Sequence, residues 1–169
     1  LLSDDNAPDG SSAPCADLQK LFASIKNNIE ITSLAKVEPR KFQLTVEPIS
    51  IVPENLLWEL AQNELCSGNR VPTEIYHSSH SIDILAQGVS KISVISAVVK
   101  KVTPDANVLT IGDRGKWPGN DSSLLQHVYS LSVDEVSHSR DTCWNLCPAG
   151  VRGPQGTLYY LRKLLPAPK

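Results

Sequence analysis

Asp113, Asn120 and Asp121 are the residues of this chain whose types and spacing best suit chemistry. They lie in Asn-Val-Leu-Thr-Ile-Gly-Asp-Arg-Gly-Lys-Trp-Pro-Gly-Asn-Asp, residues 107–121. A short β-branched and apolar run ends at Ile111, and the chain is expected to turn at Gly112 and present Asp113. A Gly/Pro-rich loop then leads to Asn120 and Asp121, and Ser-Ser-Leu-Leu-Gln after them reads as the opening of a helix. In an open α/β sheet, ligands sit outside the carboxyl ends of the strands, where Asp113 would stand. Two carboxylates and an amide carbonyl there make a hard, oxygen-rich site suited to Mg2+. The same residues also fit a turn Asp followed by a helix N-cap Asp, both common features.

The neighbouring residues divide in the same way. Arg114 and Lys116 beside this site could receive an anionic substrate, or be solvated loop charges. Trp117 is expected to anchor its loop rather than stack on a sugar. His77 and His80 straddle a turn between two strands and suit packing better than catalysis, which needs an orienting partner. Cys143 and Cys147 could share a helix face at i, i+4, but without further Cys or His they make a poor zinc site.

Composition excludes several classes. At 169 residues and 18.4 kDa the chain holds one ordinary domain or two small ones. A net charge of −2 gives no electrostatic footprint for nucleic acid. No apolar run approaches the length of a membrane span, and no signal-peptide pattern opens the chain. The four cysteines are scattered, which predicts reduced thiols in a cytoplasm rather than a disulfide frame. The chain starts Leu1-Leu2 and contains no Met, which predicts an internal fragment released by proteolysis.

The elements that must position these residues follow from periodicity. Residues 1 to about 14 are polar and read as a mobile tail. Leu18, Leu21, Phe22, Ile25 and Ile29 predict one helix from Ala16 to Ile31. Lys41 to Glu47 alternates with period two and reads as a strand closed by Pro48. Pro53 to Leu65 reads as a helix, ended by Gly68-Asn69. Val71 to His77 and Ser81 to Ala86 read as strands joined around Ser78-Ser79. From Ser90 the pattern changes to βα alternation: a helix through Ile92 to Val99, a strand at Val108–Ile111, a helix near Asp121–His127 and a strand at Tyr129–Val133. An irregular segment from Asp134 to Pro148 and a closing helix from Gly153 to Pro166 complete it. This alternation predicts a partial parallel sheet with helices on its faces.

Gly112-Asp113 followed by Gly119-Asn120-Asp121 resembles the fourth motif of the haloacid dehalogenase (HAD) superfamily, a compact Gly-Asp-x-Gly-Asn-Asp. Ser81-Ile-Asp-Ile-Leu-Ala-Gln-Gly-Val-Ser-Lys91 is similar to that family's passage from a cap strand into its third motif, whose lysine opens a helix. Tyr129-Ser-Leu-Ser-Val133 stands where the family has its next strand. The resemblance covers roughly residues 36 to 165 and is greatest to the branch of sucrose-phosphate phosphatase and related sugar-phosphate phosphatases. It implies an α/β fold: a partial Rossmann-like HAD core with an inserted α+β cap. The domains would be a tail and helix at 1–35, the cap at 36–86 and the C-terminal part of the core at 87–169. It implies that Lys91 neutralises charge between phosphoryl group and nucleophile, where the alternative is a solvated lysine opposed to the helix dipole. It also implies that Asp113 holds Mg2+ directly, with Asp121 and Asn120 completing the shell.

The chain departs from the family in two ways. Four extra residues, 115–118, separate Gly-Asp from Gly-Asn-Asp. The family's first motif, an Asp-x-Asp whose first Asp is the covalent nucleophile, occurs nowhere, and its second motif is not convincingly present either. The implied function is therefore a fragment of a Mg2+-dependent phosphatase acting on a phosphate monoester such as a sugar phosphate, inactive by itself. Such a fragment would self-associate through the core edge left open. The alternative is a non-catalytic binding or assembly module with a degenerate HAD core.

Overall fold

Alternating residues build the first sheet. Leu44 and Val46 of β2 (Gln43–Pro48) pair with Ile84 and Ile82 of β4 (Ile82–Ala86), so all four side chains emerge on one face. Adding β1 (Ala35–Arg40) and β3 (Thr73–His77) gives an antiparallel sheet in the order β1-β2-β4-β3. Three helices cover its apolar face: α1 (Ala16–Asn27), α2 (Ile29–Leu34) and α3 (Glu54–Ser67). Leu18, Leu21, Ile25, Ile31, Leu57 and Ala61 meet Val37, Leu44, Val46, Ile82 and Ile84 in one buried cluster. Each fully buried Leu or Ile there contributes about 1.5–3 kcal/mol relative to exposure. The opposite face is polar; Gln43 Nε2 donates to Asp83 Oδ1 at 2.9 Å and Thr45 Oγ1 to the same oxygen at 3.2 Å.

The computed structural model describes residues 14–67, 73–78, 80–103 and 105–165. Its contacts divide the chain into two units, between Val89 and Ser90. In the second unit, α4 (Lys91–Val99) precedes β5 (Thr110–Arg114), a 3-10 turn (Leu124–Gln126), β6 (Ser130–Glu135) and α5 (Gly153–Leu164). β5 and β6 are parallel, and Trp144 adds a single bridge beside Leu131. Polar side chains fasten this small sheet. Ser130 Oγ donates to the Leu125 carbonyl and accepts from the Cys143 amide, and Tyr160 Oη on α5 donates to the Ser132 carbonyl at 2.9 Å. The chain is thus a mixed α/β protein, with a four-stranded antiparallel sheet, a small parallel sheet and, among the described residues, five α-helices. No described helix is long and apolar enough to cross a membrane.

Several elements differ from their sequence-based expectation. The single helix over Ala16–Ile31 is two, because Asn28 leaves helical geometry and caps α2, its Oδ1 accepting from the Glu30 and Ile31 amides. Strand β1 was not expected; Pro39 lowers its strand signal but is tolerated on a sheet edge. Lys41-Phe42, expected to open a strand, instead turns the β1–β2 hairpin. The predicted Val108–Ile111 strand begins at Thr110 and continues to Arg114, with a register shift against β6 between Gly112 and Arg114, so no turn occurs at Gly112. The predicted helix at Asp121–His127 is a set of turns closing in the short 3-10 element. Cys143 and Cys147 share no helix face, since they lie in irregular backbone where Cys143 has φ +62°. The expected tail at 1–13, the helix stop at Gly68-Asn69, the start of the Val71 strand, Ser79 and the Pro166 stop lie outside the described residues.

Candidate functional site in the second unit

Asp113 is the fourth residue of β5, near the carboxyl end of a parallel strand. The chain then leaves the sheet at Gly115, whose amide donates to the Glu135 carbonyl at 3.1 Å. It returns at Gly119, whose amide donates to the Lys116 carbonyl at 2.7 Å. Asn120 and Asp121 follow, and the Asp121 carbonyl accepts from the Leu125 amide, which starts the 3-10 turn. Residues 115–118 thus form a separate excursion, tied to β6 at Gly115.

Asp121 is buried, and both its carboxylate oxygens are used. Oδ2 accepts from the Asp113 amide at 2.9 Å. Oδ1 accepts from Lys91 Nζ at 2.5 Å, joining the start of α4 to the β5 loop. The Asp121 side chain lies directly over Gly112, where an added Cβ would stand 2.6 Å from Oδ2. Lys91, Asp113 and Asp121 therefore form one cluster, although thirty residues separate the first from the last.

The electrostatics of the two carboxyls diverge. Burial pushes the Asp121 carboxyl up, but the hydrogen bonds from the Lys91 ammonium and the Asp113 amide outweigh it, and the group is held below its ordinary value. Asp113 is pushed above its ordinary value of 3.8 by partial burial and by the adjoining Asp121 carboxylate. Two carboxyls held together with opposite shifts form a pair that binds a proton or a cation in preference to standing doubly charged. A divalent ion ligated by Asp113 would relieve that repulsion, while Lys91 compensates Asp121 on its other side. Among the described residues no group of three or more His, Cys, Asp or Glu comes together, so a metal here would take carbonyl or water oxygens for its remaining ligands.

The other expected residues fall as follows. Asn120 is half-buried beside Asp121, Arg114 is half-buried, and Lys116 is exposed on the excursion. Trp117 is 64% exposed. Two glycines fix the loop closely: an added Cβ on Gly115 would meet Cys143 Sγ at 2.2 Å, and one on Gly119 the Arg114 carbonyl at 2.5 Å. His77 packs edge-on against Trp58 at 6.1 Å, and His80 is exposed. Sequence reasoning missed the close approach of Asp121 to Gly112; the signal was a glycine placed one residue before the first carboxylate.

No protein-family model matches the chain, and no curated protein sequence matches it.

Proposed function

We propose that this chain is the cap and C-terminal core portion of a Mg2+-dependent HAD-type phosphatase acting on a phosphate monoester, with a sugar phosphate as the candidate substrate class. In this reading residues 36–86 are an α+β cap, preceded by a tail and helix at 1–35, and residues 87–169 are part of a Rossmann-like core. The observation that carries it is the meeting of Lys91 with Asp121 and Asp113 at the carboxyl end of a parallel strand. Each group has a distinct task. Asp113 would ligate Mg2+, Asp121 and Asn120 would complete or orient its shell, and Lys91 would place an ammonium where phosphoryl charge develops. Arg114 and Lys116 would add attraction for the anionic substrate.

The covalent step of such a reaction needs a carboxylate nucleophile, and the chain has no Asp-x-Asp. That absence favours a site completed by another polypeptide segment, and it also favours the second reading, a degenerate HAD module that binds without catalysis. Among the described residues β5 pairs with β6 on one side only, and Ile92, Val94 and Val99 of α4 are exposed. Self-association through that edge belongs to the same proposal. So does a cytoplasmic setting, supported by four cysteines that are all free thiols. The test is release of inorganic phosphate from sugar phosphates in the presence of Mg2+. No enzymatic turnover is expected from the 169-residue chain; robust turnover would overturn the assignment of a missing nucleophile.

A further inference from the structure

Seven residues separate Asp113 from Asp121, yet the Asp113 amide and Asp121 Oδ2 lie 2.9 Å apart. The backbone at Gly119 accounts for this. A Cβ there would stand 2.5 Å from the Arg114 carbonyl oxygen, 2.6 Å from that of Lys116 and 2.8 Å from Arg114 Cβ. Real Cβ atoms do not approach so closely, and two of these three neighbours are backbone atoms that cannot swing away. Gly119 is buried, with no side chain between its backbone and the last residue of β5. The excursion 115–118 therefore leaves and returns through a neck one backbone contact wide. The chain resumes at Asn120 almost where it left at Arg114, which delivers Asp121 to Gly112 and to Lys91.

We propose that Gly119 is the positioning residue of this site. It closes the neck of the excursion and thereby sets where the Asp121 carboxylate stands. This inference rests on the reading of Asp113 and Asp121 as a metal site for its consequence, but not for its geometry. Any side chain at 119 forces the neck apart by roughly an ångström, the gap between these approaches and an ordinary van der Waals separation. Asp121 then moves off the Asp113 amide.

The test uses the full chain and reads the Asp113 amide directly. In Gly119→Ala, hydrogen exchange at the Asp113 amide should quicken by roughly tenfold or more, as expected for losing a bond to a charged acceptor. The Ser132 and Leu165 amides of the same unit, which donate to the Trp144 and Leu161 carbonyls, should keep their protection, which separates displacement from unfolding of that unit. Unchanged exchange at Asp113 in Gly119→Ala, or an equal quickening at the Ser132 amide, would overturn the inference. Mg2+ titration of the same proteins separates the two ideas. If the unsubstituted chain fails to bind Mg2+ while Gly119→Ala still releases the Asp113 amide, the metal reading fails and the positioning role stands.

Discussion

Lys91 Nζ and Asp121 Oδ1 lie 2.5 Å apart, and the two side chains differ sharply in exposure, 44% against 10%. The carboxylate is the buried partner, so it depends on the ammonium far more than the ammonium depends on it. Lys91→Ala should therefore leave a nearly buried charge with only the Asp113 amide to compensate it. The expected loss is about 1–3 kcal/mol, between the values for surface pairs and fully buried pairs. Chemical denaturation at neutral pH checks it. Asp121→Asn in the same background should recover part of the loss, because it removes the charge that was stranded.

The paired carboxyls make metal binding depend on pH. Asp113 has its folded value raised, so without metal it keeps its proton to higher pH than an ordinary Asp. A ligated cation must displace that proton, so apparent Mg2+ affinity should rise as pH increases through the range above 3.8 and then level off once Asp113 is ionised. Asp121 acts oppositely on stability: its folded value is depressed, so its contribution is complete above the ordinary value and fades as pH falls through the folded one. Mg2+ titrations at several pH values, followed through the Asp113 and Asp121 backbone resonances, would show the trend. A pH-independent affinity would contradict the pairing.

Tyr160 links α5 to the small parallel sheet. Its hydroxyl donates to the Ser132 carbonyl and accepts from the Leu146 amide at 2.7 Å. Burial and hydrogen bonding with the Cys147 thiol push its ionisation up to about 12. Tyr160→Phe would leave both backbone groups without this partner, at a cost of about 1–3 kcal/mol. Thermal unfolding checks it, and a melting temperature equal to that of the parent would show that water replaces the hydroxyl at no cost.

How much of this was legible in the sequence varied with the range of the forces involved. The spacing of Leu18, Leu21 and Ile25 was a direct imprint of burial on one side of a helix, and α1 followed it. The break at Asn28 was hidden because Ile29 continued the apparent periodicity; that side chain is 82% exposed, and the cap rather than burial decided the local geometry. Strand β1 escaped because Lys36, Glu38 and Arg40 alternate on its outward face and Pro39 interrupts its apolar one, while on an edge pairing with β2 suffices. Asp113, Asp121 and Lys91 were each legible as candidates by type. Their convergence was not, since it depends on two glycines that admit a carboxylate and a carbonyl where side chains would stand.

The open side of β5 predicts association. A parallel strand with one unpaired edge among the described residues, together with the exposed Ile92, Val94 and Val99 of the same unit, should draw a second chain at high concentration. Light scattering across a concentration series should show mass rising above 18.4 kDa. Lys or Glu substitution at Val94 should shift the equilibrium toward the monomer. A constant monomer mass at all concentrations would contradict this.

Binding of Mg2+ to the 169-residue chain, compared with its Asp113→Asn variant, tests the central assignment most directly. The account predicts saturable millimolar binding that perturbs the backbone resonances of Asp113, Asn120 and Asp121. Asp113→Asn should weaken it by about tenfold or more, since a hard cation loses one of its two carboxylates. Equal titration curves for the two proteins, or perturbations confined to residues outside this cluster, would contradict the assignment.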